Sequence, residues 1–229
     1  MMDPTDRQAT SRGFTVVELL VALGLAAVVF GLIVSFFADM GRSTTTQNAS
    51  AVAQQTARAG VDFMAQELRL AGLDPLKSAG AGIEEISPAG TKIRFSSDSC
   101  DLPIGHSDNC QNPVPDGNVN GKNERVTYIY STTTRDIRRC LYETIATFGS
   151  ENSDGKCMPL LEQVEWEPGD TPLFTFLDGK KDSPPIIDNG KRGEIRTVVI
   201  TLTVQEPAGR SKTVTRTYSS RVRLRNIGH

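Results

Sequence analysis

Residues 19–38 read LLVALGLAAVVFGLIVSFFA, twenty residues without a charge. A helix crosses the hydrocarbon core of a bilayer with about 20 such residues. No second run approaches this length, so the chain is read as having one span. A secretory signal would have a shorter apolar region, about 7–15 residues, ending at a small-residue cleavage site. The sequence SFFADM offers no convincing site of that kind. One carboxylate, Glu18, abuts the run. A carboxylate at the edge of a span is costly and points to function; the plainer reading is a boundary residue among the headgroups.

The chain has 229 residues, which fits one modest globular domain plus an appendage. A formal net charge of -2 gives no strong electrostatic argument for nucleic acid. The four cysteines, Cys100, Cys110, Cys140 and Cys157, all follow the apolar run. An even number in an exported region is consistent with two disulfides. Sequence order allows three pairings. We favour Cys100–Cys110 and Cys140–Cys157, because each closes a short loop. The alternative is free thiols in a reducing compartment. Zinc is less attractive, since no CxxC occurs and there are only two histidines.

The residues before and into the run are Gly13-Phe14-Thr15-Val16-Val17-Glu18-Leu19-Leu20, preceded by a short polar leader containing Arg12. This string closely resembles the processing site of type IV prepilins and type II secretion pseudopilins. The resemblance implies that a prepilin peptidase cuts after Gly13 and methylates the new N-terminal residue, Phe14. It also implies that Glu18 pairs with the N-terminal amine of a neighbouring subunit during assembly. A carboxylate and an ammonium that both enter an apolar filament core gain most by meeting each other. Arg7 and Arg12 precede the span and Arg42 follows it, a slight lean toward a cytoplasmic leader. Gly24 and Gly31 lie seven apart on one helix face, where small residues permit close helix approach; glycine is also simply common in such helices. Ser35 stands where many major pilins carry a proline, which leans toward a minor subunit or a pseudopilin.

Residues 39–47 are polar and read like a linker. From residue 48 a helical pattern resumes, with apolar residues at 49, 52, 57, 61, 64, 68 and 71. Gly72 and Pro75 provide a stop. Pilin-like proteins join both parts in one long helix, here about residues 14–72, with a local weakness near 41–46. The stretch RAGVDFMAQELRLAGLDP, residues 58–75, resembles PilW-type minor pilins, as does the ending SSRVRLRN. Phe63, Met64, Leu68 and Leu70 are read as core contacts.

Strands are predicted at 83–86, 91–95, 125–131, 138–145, 161–166, 172–177, 194–205 and 212–225. Residues 96–124, 148–159 and 178–193 are read as loops. The expected fold is α+β and pilin-like: a long N-terminal helix packed on one antiparallel sheet. The expected organisation is a leader at 1–13, a membrane helix at 14–38, the soluble half of the helix at 39–75 and a periplasmic or extracellular head at 76–229.

One loop places oxygen side chains in the order of a calcium loop: Asp116, Asn118, Asn120 and Glu124, with Gly121 at the turn. Thr127 stands where the bidentate glutamate belongs, and the flanks are not two helices. An ordinary polar turn is the competing reading. No GxSxG, HExxH, GxGxxG or Walker motif occurs, and His106 and His229 have no evident nucleophile partner. The chain is therefore read as a non-enzyme without a required cofactor. Glu84 and Glu85 are read as solvated surface. Lysines and arginines from Lys191 to Arg225 are read as a solvated sheet face rather than a nucleic-acid surface, since Tyr218 stands nearly alone as an aromatic.

The function implied is that of a minor pilin taking part in type IV pilus assembly. Its partners would be other pilins and minor pilins through the N-terminal helix, prepilin peptidase, and an inner-membrane assembly platform. It would sit in the inner membrane, with its head periplasmic, before joining a surface pilus. The rivals are a J-like pseudopilin, and an adhesive module using residues 96–124 and Trp166 on a pilin stem.

Overall fold

The computed structural model describes residues 14–98, 115, 117–119, 124–142, 156–180, 183–209 and 212–227. The chain divides into two compact units, Met1–Gln47 and Asn48–His229. One helix, α1 (Val16–Leu70), contributes to both.

In the first unit α1 is apolar and long enough to cross a membrane, with a mean hydropathy of 2.8 over its most apolar window. Its large apolar side chains from Val16 to Met40 are exposed, so this is not the buried helix of a soluble core. Helix continues through 41–46, where a weakness was expected. The hydroxyls of Thr44, Thr45 and Thr46 donate back to the carbonyls of Met40, Gly41 and Arg42, each at 3.0 Å. A threonine cluster that looks like a linker thus satisfies its polar groups without leaving the helix.

In the second unit α1 buries Ala49, Ala53, Ala57, Gly60, Val61, Met64, Ala65 and Leu68. Their spacing forms one stripe of a 3.6-residue helix. Val61, Met64 and Leu68, each fully buried, contribute about 1.5–3 kcal/mol apiece. Phe63 and Leu70, expected in the core, are instead 41% and 48% exposed; they fall on the flanks of the stripe. Gly72 ends the helix with φ +78 and its N–H donates to Ser96 O at 2.9 Å. A left-handed glycine just past the last turn is a common helix stop.

The head has two antiparallel sheets where one was expected. The first runs β1 (Ile83–Ile86), β2 (Lys92–Ser96), β3 (Arg125–Ser131), β4 (Asp136–Tyr142) and β5 (Lys156–Leu161), in that order. The second runs β6 (Phe174–Leu177), β7 (Thr197–Pro207) and β8 (Thr213–Arg223). A short 3-10 helix at Asn189–Glu194 lies in the segment read as a loop. Strand β5 replaces part of another expected loop. It carries Pro159, which removes a ladder donor and is tolerated because β5 is an edge. The strand expected at 161–166 is absent: the pairing of β5 ends at Leu161, and Val164 makes an isolated bridge to Val204. The Val164 N–H also donates to Arg135 O at 2.9 Å, so this segment stitches the two sheets together. Glu84 and Glu85 are not free surface. They pair with Arg125 and Lys92, at 2.7 and 3.0 Å.

The core combines Val61, Met64 and Leu68 of the helix with residues of both sheets, among them Ile93, Tyr128, Ile137, Ile200 and Leu202. A long N-terminal apolar helix packed on antiparallel sheets is the pilin-like α+β fold expected from the resemblance.

Candidate functional site

The helix N-terminus is the first candidate. Thr15 precedes Val16, the first helical residue, and its hydroxyl oxygen accepts the Glu18 N–H at 3.3 Å. The Leu19 N–H bonds Thr15 O at 3.1 Å. Thr15 thus caps the helix, and Glu18 sits at the third helical position, where a carboxylate favours the positive end of the helix dipole. The sequence Thr15-Val16-Val17-Glu18 is a capping-box pattern, a signal not used in reading Glu18 from sequence alone. Phe14 is 82% exposed. Gly13 lies outside the described residues. What this end presents is a capped, acidic first turn followed by bare apolar surface.

The second candidate is a half-buried polar cluster between helix and sheet. Glu67 projects from α1 between the core residues Met64 and Leu68. Arg139 of β4 binds its carboxylate with Nη2 to Oε1 at 2.6 Å and Nε to both oxygens at 3.0 Å. The Tyr128 hydroxyl of β3 donates to the same carboxylate. Burial, reinforced by the Glu67 charge and hydrogen bond, pushes the Tyr128 pKa far up. Burial alone would lower that of Arg139, but the hydrogen bonds and charge of Glu67 outweigh it and raise it. Arg139 also lies 6.0 Å from the centre of the Phe63 ring, a cation–π distance that accounts for Phe63 at the helix flank. Sequence reading did not single out Glu67. The available signal was a lone carboxylate within an apolar helical stripe. Its hydrogen bonds run among its own members and tie the helix to the first sheet.

Cys140 and Cys157 are directly opposed on β4 and β5 and joined by a disulfide. Cys100 and Cys110 lie outside the described residues, as do His106 and His229.

Of the calcium-loop residues, Asp116 and Asn120 lie outside the described set. Glu124 is buried, and its carbonyl accepts the Ser97 N–H at 2.9 Å. Asn118 makes polar contacts of its own. Thr127 is committed within the sheet, accepting Arg94 Nε at 3.0 Å. Among the described residues no group of three acidic, cysteine or histidine side chains could hold a metal. Trp166 packs edge-on against Tyr130 with ring centres 5.8 Å apart. The Tyr130 hydroxyl donates to the carbonyls of Val164 and Trp166, both at 3.3 Å. Trp166 is therefore a packing residue beside the sheet junction.

No protein-family model matches this chain, and no curated protein matches it.

Proposed function

We propose that this chain is a minor pilin of the PilW type, anchored by its apolar helix and built into a type IV pilus. The observation that carries the reading is the contrast along α1. The same helix is bare and apolar after Glu18, yet buried against a folded head from Ala49 onward. Uncovered apolar surface of that extent requires lipid or partner helices around it. A subunit that leaves a bilayer for a filament core needs both environments in turn.

In this reading a prepilin peptidase cuts after Gly13 and methylates Phe14. Glu18 then meets the amine of a neighbour as both enter the apolar core, with other pilins, minor pilins and an assembly platform as partners. The head takes no catalytic part and requires no cofactor. A J-like pseudopilin shares all these residues, and the genes beside this one separate the two.

Mass spectrometry of the mature chain should find methylated Phe14 at the N-terminus. An intact leader in cells with a working peptidase would overturn the processing step. Glu18→Gln should block incorporation into filaments while the head remains folded; normal incorporation would remove the assembly role.

A further inference from the structure

The two sheets present four edge strands, and three of them are closed. β1 has four residues and an irregular register at Ile83/Glu85, and its Ile86 N–H donates to Asn189 Oδ1 at 3.1 Å. β5 carries Pro159 and faces a register irregularity in β4. β6 has four residues; its outward Phe174 N–H donates to Gly90 O and its outward Phe176 carbonyl accepts from Ile186, both at 2.8 Å. Short strands, bulges, prolines, coverage and charged side chains are devices by which proteins prevent edge pairing.

Of these β8 has only charge, which repels a like edge and leaves an acidic strand free to pair. It runs eleven residues, pairs with β7 in unbroken register from Thr213 to Arg223, and contains no proline. The Leu224 N–H donates to Arg196 O and the Ala208 N–H to Lys212 O, at 2.9 and 2.6 Å. In an antiparallel pair such bonds alternate, so the even-numbered residues of β8 bond β7. The backbone groups of Thr213, Thr215, Thr217, Ser219, Arg221 and Arg223 then point outward, with no partner among the described residues. The hydroxyl contacts Thr201–Ser219 and Thr203–Thr217, at 3.0 and 2.9 Å, fall at the non-hydrogen-bonded positions this assignment requires.

Charge on this edge has one sign. Arg216, Arg221 and Arg223 are exposed and no acidic residue occurs in β8. Arg216 is taken by Ser50 Oγ, at 2.7 and 2.9 Å. Arg221 and Arg223 stand two residues apart on the opposite face, beside the outward backbone groups, with no ion pair among the described residues.

We propose that β8 is a docking edge that adds a strand from another protein, an extended segment carrying carboxylates two positions apart to face Arg221 and Arg223. Main-chain bonds to the odd-numbered residues supply the affinity and the two arginines select the acidic partner. A second copy of β8 would bring three more arginines to the same edge and is disfavoured by repulsion. The surface lies wholly on the head and stands independently of how the N-terminus is processed.

The test uses the full chain in detergent micelles and a synthetic capped peptide alternating valine and threonine, with two glutamates two positions apart. Binding should slow amide exchange at Thr215, Thr217 and Ser219 by about tenfold or more, equivalent to ~1.4 kcal/mol. A version with lysine for glutamate should not bind, and Arg221→Glu with Arg223→Glu should reverse that preference. Thr217→Pro removes an outward N–H but none that β7 uses, so it should abolish binding with the melting temperature nearly unchanged. Unslowed exchange with the acidic peptide overturns the proposal. So does full binding by Thr217→Pro, which would mean charge attraction without strand addition. Dimerisation of the chain alone through β8, lost on Thr217→Pro, also overturns it in favour of a second copy.

Discussion

Arg139 grips Glu67 with two guanidinium nitrogens, one at 2.6 Å and the other at 3.0 Å from both carboxylate oxygens. The pair ties the helix to β4, an interior strand of the first sheet. Both side chains keep about a fifth of their surface in solvent, 17% for Arg139 and 21% for Glu67. Removing one partner of a fully buried pair costs about 3–5 kcal/mol; with this exposure we predict about 2–3 kcal/mol for Glu67→Ala. Replacing both residues by methionine should recover much of that loss. Denaturant titration of the native protein, Glu67→Met, Arg139→Met and the double substitution forms a double-mutant cycle that measures the coupling, and purely additive effects would refute it.

Tyr128 gives the head an alkaline weakness. Its folded pKa is raised, by burial first and by Glu67 second. The unfolded tyrosine releases its proton near pH 10 while the folded one retains it. Above that pH the unfolded state binds fewer protons, so stability falls as pH rises, by up to about 1.4 kcal/mol per unit. Below it the contribution is complete. Melting curves from pH 8 to 11 should show this decline in the native protein and a shallower one in Tyr128→Phe. Equal slopes would exclude Tyr128 as the source.

The Cys140–Cys157 disulfide holds the edge strand β5 across a sequence separation of 17 residues. Closing a loop of this size stabilises by roughly 3 kcal/mol in the chain-entropy account. Cys140→Ser with Cys157→Ser should lose about that amount, read as a lower denaturation midpoint with intact helix content. A midpoint unchanged by the double substitution would mean that β5 is held by packing alone.

Gly90 joins the two sheets at a point where no side chain fits. Its φ is +67, and a methyl group there would overlap the carbonyl oxygen of Phe174. Left-handed backbone alone costs a side-chain-bearing residue about 1–2 kcal/mol. Gly90→Ala should exceed that, because the clash also pushes on the Phe174–Gly90 hydrogen bond. Thermal melting checks it; a neutral substitution would mean the turn relaxes freely.

The elements that periodicity controls were legible in the sequence. The membrane-length helix and the long strands β7 and β8 follow from apolar runs and strict alternation, because their residues face one environment per side. β5 was not legible. Pro159 and the sparse apolar content around Cys157 look like loop, and the strand exists because β4 and a disulfide hold it. The division into two sheets was equally hidden, since no local pattern marks that β6 pairs with β7 and not with β5. At the helix N-terminus, Phe14 and Glu18 were conspicuous beside the apolar run, whereas the role of Thr15 as cap required attention to its spacing from Glu18. Glu67 escaped because its partners, Tyr128 and Arg139, lie 61 and 72 positions away along the chain.

The helix of the head is moored at three places. Ser50 holds Arg216 of the second sheet, Glu67 holds Arg139 of the first, and the carbonyl of Arg69 holds Asn226 just past β8. Tension applied along the helix axis would therefore shear these contacts together instead of peeling them one after another. Bonds loaded in parallel share a force, and the rupture of one leaves the others engaged. A helix fastened in this way would stay docked on the sheets under a pull that strips a singly attached one.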